Sequence, residues 1–458
     1  MKVQPPVVVV PGITATTLHD EYPVDPDEVW GMLRKAWDRI YLHPDDTRYE
    51  RSEPARVRAD ALFGYPYGDL IEELRHDLTS RADEPTPVFP FPHDWRQPLE
   101  RIEDRVAAFV TEVVERTSLL RHYHRAGYAA ADGRVDLVGH SMGGLIVAGY
   151  LARYGGARVR KVATLATPFR GSFEAVLKVA TGLSSLPGGE GSREREVARL
   201  TPALYHLLPS FEGGVTADDG LGTDLFEADT WQPGVVQTLA EQIRLYGVRG
   251  EALDEAARMR EARALFQTLL DQAARHRGVV EALRPSAFGM NRNDWLAVVG
   301  VGEKTRVRLR IVRSADGAPW FRLRSTDRRN GYPEPEIADD GTVEASREDT
   351  GDGTVPYRGA RPAFLPQDAL VCVTDDDFGY WEIRDRLLEH GAFGKSVTLH
   401  SLLPAMNVVQ RLVVCHLKGA RGRRGASHDG VWGRRAPDLA SDAPWRPPIE
   451  DLREKGQR

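Results

Sequence analysis

The chain has 458 residues, a formal net charge of −6, and 41% hydrophobic and 28% charged residues. That length buries a sizeable core and suits one enlarged α/β domain as well as two or three smaller ones. The acidic balance gives no global basic field for nucleic acid, no apolar run approaches the roughly 18 residues of a bilayer span, and two cysteines in apolar runs, Cys372 and Cys415, make no disulfide framework.

The opening MKVQPPVVVVPG is interrupted by Pro5, Pro6 and Pro11 and does not read as a signal peptide, so the expectation is a cytoplasmic protein. Val7–Val10 is a short, β-branched, wholly apolar run, which predicts a buried parallel strand. Residues 20–60 are acidic and punctuated by proline and tryptophan, an excursion from the core. Helical spacing follows over Asp69–Leu78, a strand over Pro87–Phe91, and a long helix from Pro98 to about Leu120. Strands are expected at Val135–Val138 and Arg160–Leu165, with a helix over Gly144–Tyr154 between them. Gly250–Leu283 has heptad-like apolar spacing. It fits a coiled coil or, better, a helical cap inserted in the sheet domain, because strands resume at Leu296–Val301, Val307–Val312 and Ala369–Thr374. The alternation predicts an α/β fold with a mostly parallel sheet covered by helices on both faces. The expected layout is one domain over 1–418 with a lid-like excursion at about 19–65 and a helical cap at about 173–290. A Gly/Arg/Pro-rich tail over 419–458 is expected to be disordered.

GHSMGG at 139–144 places Ser141 between glycines where an apolar strand stops and a helix starts. The bare pattern is cheap. Its setting is not: a strand-to-helix bend that exposes a nucleophilic serine needs small residues on both sides. Serine also needs a base to take its proton and a carboxylate to orient that base, in the chain order serine, acid, histidine. Asp352 in GDGTVP is the candidate acid, although in isolation it reads as a plain Asp-Gly turn; Asp349 is its competitor. His400 in SVTLHSLL is the candidate base, against His390 and the more deeply apolar His416. Acyl transfer requires two amides for the oxyanion. Met142 follows the serine, and Ile13 sits in the loop after the first strand.

These pieces together resemble the lecithin:cholesterol acyltransferase-like branch of the α/β-hydrolases. VVVVPGI at 7–13, FPHDWRQP at 91–98, VDLVGHSMGGL at 135–145, ATLATPFRGS at 163–172, PALYHLLPS at 202–210, VVGVGEKT at 298–305, GDGTVP at 351–356 and LHSLL at 399–403 fall in the family's order. The resemblance implies an α/β-hydrolase fold with Ser141 as nucleophile, His400 as base, Asp352 as orienting acid, and Ile13 and Met142 as oxyanion amides. It places Trp30 in the family's lid region, with packing as the competing role, and gives Asp94-Trp95-Arg96 a bracing role. The family's disulfide-locked lid is missing, and residues 185–290 and 313–348 match nothing in it.

The expected function is a serine esterase or lipase acting on a lipid-like acyl ester, with no cofactor and no metal. Peripheral membrane contact is expected through the lid, and no nucleic-acid partner. Three other functions stay open: an acyltransferase passing the acyl group to an alcohol, a non-catalytic binding module on a hydrolase scaffold, and an effector toxic to membranes that a partner holds off through the 250–283 helix or the basic tail. Oligomeric state is not legible.

Overall fold

The computed structural model describes residues 3–52, 54–182, 191–323, 336–337, 343–344, 350–377, 398–419 and 434–435. The competitors Asp349 and His390, and nearly all of the tail, lie outside these residues. The strands in chain order are β1 (Val7–Val10), β2 (Thr16–Asp20), β3 (Asp27–Trp30), β4 (Val57–Leu62), β5 (Val88–Pro90), β6 (Val135–His140), β7 (Val159–Leu165) and β8 (Val215–Ala217). They continue with β9 (Trp295–Gly300), β10 (Leu309–Arg313), β11 (Pro319–Arg322), the two-residue β12 (Glu336–Ile337) and β13 (Val343–Glu344), β14 (Leu370–Val373) and β15 (Arg434–Arg435). The helices are α1 (Gly64–Leu78), α2 (Leu99–Ser118), α3 (Arg121–Arg125), α4 (Met142–Tyr154), α5 (Phe173–Thr181) and α6 (Gly191–Arg199). They continue with α7 (Pro202–Tyr205), α8 (Pro233–Tyr246), α9 (Glu255–Glu281), α10 (Tyr357–Ala360), α11 (Leu399–Leu402) and α12 (Asn407–Lys418).

The central sheet runs β15-β14-β9-β7-β6-β1-β5. Six of these strands are parallel, and β15 joins β14 antiparallel at one edge. Successive strand residues point to opposite faces, and the valine run divides accordingly. Val8 and Val10 join α2 and α4 in one core; Val7 and Val9 join α1 and α12 in the other. Burial on both faces explains why the strand is apolar at every position rather than alternating. On α2 the buried residues Ile102, Val106, Val110, Val113 and Thr117 recur at helical spacing, which turns one stripe onto the sheet.

The expected strand near 307–312 forms at 309–313, but not in this sheet. It pairs with β8 and β11 in a separate three-stranded sheet. The free side of β9 is taken by β14, with Leu370 opposite Ala297, so the sequence that follows β9 has no place there.

Residues 16–62 hold a third sheet, ordered β3-β2-β4. Arg96 ties this segment to the core. It is fully buried and donates from Nε to Asp94, from Nη1 to the Ile40 carbonyl at 3.1 Å, and from Nη2 to Glu50 at 2.7 Å. The Arg96 guanidinium keeps the Asp94 carboxyl below its ordinary range although burial alone would raise it. Trp30 is also fully buried, its ring 5.1 Å from Trp37 and 4.9 Å from Trp95, and its Nε1–H donates to the Thr14 carbonyl. Packing is thus the part Trp30 plays here. Helix α9 buries Phe266, Leu269, Leu270 and Ala273 against α8, α7 and α4, which accounts for its heptad-like spacing within the chain. Among the described residues no helix is long and apolar enough to cross a membrane.

Candidate active site

β6 delivers its chain to Ser141, and α4 begins at Met142. Ser141 adopts φ 54° and ψ −127°, a region that side chains with a Cβ rarely occupy. The surroundings hold it there. The Ser141 N–H donates to the Leu165 carbonyl at 2.8 Å, and its own carbonyl accepts from Gly144 N–H at 3.0 Å. The flanking glycines are sterically required. A Cβ on Gly143 would stand 2.1 Å from the Val10 carbonyl oxygen, and one on Gly144 would stand 1.8 Å from Thr167 Oγ1.

Three side chains distant in sequence meet at this bend. His400 Nε2 lies 2.9 Å from Ser141 Oγ, and His400 Nδ1 lies 2.8 Å from Asp352 Oδ2. A carboxylate only accepts, so Nδ1 carries the ring proton and Nε2 is left to accept from the serine hydroxyl. All three residues are buried. The Asp352 carboxylate is fixed from both sides: its Oδ1 accepts from the N–H groups of Thr354 at 3.0 Å and Val355 at 2.6 Å. The His400 N–H returns to the Asp352 carbonyl at 2.9 Å, which locks α11 onto the acid's turn. Gly353 makes that turn in the left-handed region, at φ +86°. His416, the weaker candidate base, sits elsewhere and is bonded to the Val162 carbonyl.

Met142 opens α4, so its amide belongs to the first helical turn, where N–H groups have no partner inside the helix. The loop after β1 lies directly against the serine: a Cβ on Gly12 would stand 2.9 Å from Ser141 Cβ. Ile13 is the next residue. Together with Trp37, Val197 and Leu204, and with the buried Lys178–Glu194 ion pair, it lines a cavity of only about 20 Å³. That is room for on the order of one water.

Two further residues join these parts, and reading the sequence missed both. The Tyr67 hydroxyl lies 2.9 Å from Gly12 N and 2.6 Å from His140 Nδ1; His140 Nε2 lies 3.0 Å from the His400 carbonyl. Burial, with a contribution from the neighbouring His400, pushes the His140 imidazole down to about 3, so it is neutral and carries one proton. The carbonyl can only accept, so that proton is on Nε2. Nδ1 therefore accepts from Tyr67, whose oxygen accepts from Gly12. The result is a directed chain: Gly12 N–H to Tyr67, Tyr67 O–H to His140, His140 N–H to His400. His140 was visible beside the serine in GHSMGG, but nothing in the sequence pairs it with Tyr67.

A family profile and one solved structure agree with this architecture. A family profile described as the alpha/beta hydrolase fold matches residues 118–189, the stretch that holds β6, the bend, α4 and β7. Among solved structures, the crystal structure of the Tle4-Tli4 complex is similar with a TM-score of 0.59 at 16% identity, over 91% of this chain and 99% of that one. The mature form of the Bacillus licheniformis lipase BlEst2 aligns with a TM-score of 0.25 at 17% identity, over 45% of this chain and 56% of that one. No curated protein matches the chain by sequence. The chain has the α/β-hydrolase fold.

Proposed function

We propose that the protein is a serine-dependent carboxylic ester hydrolase. Ser141 Oγ attacks the ester carbonyl while His400 Nε2 takes its proton, and Asp352 orients the ring and stabilises the imidazolium. The amides of Ile13 and Met142 hold the oxyanion. Collapse of the tetrahedral adduct expels the alcohol, which receives the proton from His400, and leaves an acyl-enzyme. Water then attacks the acyl carbon, its proton passing to Nε2, and the acid departs as Ser141 regains its hydrogen. The Tyr67–His140 chain holds the oxyanion loop and the base in one register.

The observation that carries this reading is the continuous contact from Ser141 Oγ through His400 to Asp352, at 2.9 and 2.8 Å, on a serine held at positive φ. Backbone strain of this kind persists where the surroundings impose it and clusters at functional sites. Placement on the lecithin:cholesterol acyltransferase-like branch belongs to the same proposal and rests on the DWR and GDGTVP stretches.

The test is labelling with a fluorophosphonate probe together with turnover of a p-nitrophenyl ester series, for wild type and Ser141→Ala. Wild type should label and turn over, and Ser141→Ala should do neither. A wild-type protein inert in both assays sinks the proposal. Adding a long-chain alcohol and analysing the products separates hydrolysis from acyl transfer.

A further inference from the structure

The stretches VVGVGEKT at 298–305 and ATPFRGS at 166–172 contribute none of the three side chains that meet at the bend. Each ends on a buried hydroxyl, Thr305 and Ser172, and both hydroxyls reach the turn that carries Asp352. β9 stops at Gly300, where a Cβ would stand 2.5 Å from Asp352 Cβ, so the strand passes directly beside the acid. The chain then runs along the 350–353 segment. Gly302 N–H donates to Thr350 Oγ1 at 2.7 Å, Glu303 N–H to the Gly351 carbonyl at 3.0 Å, and Gly353 N–H to Thr305 Oγ1 at 2.8 Å. The Thr305 hydroxyl in turn donates to the Glu303 carbonyl at 2.9 Å. From the start of α5, Ser172 Oγ donates to the Thr354 carbonyl and accepts from Glu174 N–H at 3.1 Å.

Peptide planarity turns these bonds into control of the acid and the base. A carbonyl and the N–H of the next residue lie in one rigid plane. Gly353 N–H shares its plane with the Asp352 carbonyl, which accepts from His400 N–H at 2.9 Å. Thr305 therefore fixes the plane that anchors the backbone of the base. The Thr354 carbonyl shares its plane with Val355 N–H, which donates to Asp352 Oδ1 at 2.6 Å. Ser172 therefore fixes the plane that grips the carboxylate and leaves Oδ2 to His400 Nδ1. Between the two planes stands Gly353, at φ +86°, with no Cβ to resist rotation. The turn needs outside tethers to hold both planes at once, and a hydroxyl suits the task because it accepts and donates together.

We propose that Thr305 and Ser172 are positioning residues that set the Asp352–His400 contact, one through each peptide plane of the acid's turn. The proposal rests on the reading of Ser141, His400 and Asp352 as a hydrolytic unit. Neither hydroxyl touches substrate or a reacting atom. Thr305 acts on where the imidazole sits, and Ser172 acts on where the carboxylate points. Loss of either hydroxyl lets one plane turn, and the proton-taking Nε2 then leaves its place beside Ser141 Oγ.

The experiment uses the full chain and three variants, Thr305→Val, Thr305→Ser and Ser172→Ala. It measures kcat and KM for p-nitrophenyl acetate, the urea midpoint, and the downfield proton resonance of His400 Nδ1–H, assigned by its loss in His400→Ala. Thr305→Val keeps the side-chain shape and removes the hydroxyl. It should lower kcat about tenfold to a hundredfold with KM within about twofold, the scale expected when a reacting group is slightly misplaced. The His400 resonance should shift or broaden in the same variant. Thr305→Ser loses a methyl and keeps the hydroxyl, so it should lower the urea midpoint yet hold kcat within about threefold of wild type, with the resonance in place. Ser172→Ala should follow Thr305→Val in kcat and in the resonance, and it keeps the test open if Thr305→Val fails to fold. A kcat within about twofold of wild type in both hydroxyl-free variants, or equal losses in Thr305→Val and Thr305→Ser, overturns the proposal. A wild type that neither labels with a fluorophosphonate nor turns over an ester refutes the hydrolase reading instead. The resonance is read without substrate, so an unmoved signal in Thr305→Val and Ser172→Ala still overturns the positioning role in that case.

Discussion

Replacing Tyr67 with phenylalanine removes one oxygen and breaks two buried contacts, to Gly12 N–H at 2.9 Å and to His140 Nδ1 at 2.6 Å. Each group left without a partner costs about 1–3 kcal/mol, so folding stability should fall by about 2–6 kcal/mol. The effect on rate has a different origin. Gly12 precedes Ile13, and its N–H is what Tyr67 holds. Complete loss of an oxyanion donor costs about 10²–10³ in kcat, so a donor that drifts should cost about tenfold to a hundredfold, with KM little changed. The assay is saturating turnover of a p-nitrophenyl ester alongside urea unfolding, at a temperature where the variant is native. His140→Gln and His140→Leu complete it. The glutamine oxygen can accept from Tyr67 while its amide donates to the His400 carbonyl, so His140→Gln should keep most of the rate that His140→Leu loses. If Tyr67→Phe lowers the unfolding midpoint but leaves kcat within about twofold of wild type, the chain of contacts serves stability alone and the reasoning about the oxyanion loop fails.

Three more expectations follow from the same structure. His400→Ala should lower kcat by several orders of magnitude, since residues that act as a unit are lost together, and Ser141→Ala combined with it should add almost nothing in steady-state kinetics. Arg96→Met strands the Asp94 and Glu50 carboxylates in the interior and should cost about 3–5 kcal/mol in chemical denaturation; an unchanged midpoint refutes the bracing role. Acid should destabilise the protein well before its carboxylates titrate. Burial holds His93 down to about 4, and His140 and His416 down to about 3. Below about 6.5 the unfolded chain binds protons that the native state refuses, so this contribution is whole above that pH and declines as pH falls. At pH 5 the loss is on the order of 2 kcal/mol per histidine. Urea midpoints at pH 7 and pH 5 in matched salt measure it, and equal midpoints contradict it.

Much of the molecule was readable along the chain because the signals are local. Val7–Val10 is apolar at every position, since both faces of the sheet are covered, and that shows in the residues themselves. The glycines around Ser141 announce a bend because any Cβ there collides with Val10 or Thr167. The residues brought together at the bend were named from chain order and turn chemistry. Their meeting was not visible: Ser141 and His400 are 259 positions apart, and the 2.9 Å between them is a property of the assembled sheet.

Other features had no local signature at all. Tyr67 lies on an amphipathic helix, where its spacing marks a core residue and nothing more; only the packing of α1 brings its hydroxyl between Gly12 and His140. The strand at 309–313 carries the same pattern whichever sheet receives it, and the choice fell to β14, which already occupied the edge of β9. The sequence determined the strands, the bend and the residue types available for chemistry, because propensity, steric demand and burial pattern act over a few neighbours. The tertiary structure decided which edges pair and which side chains meet, because those outcomes depend on contacts between segments far apart in the chain.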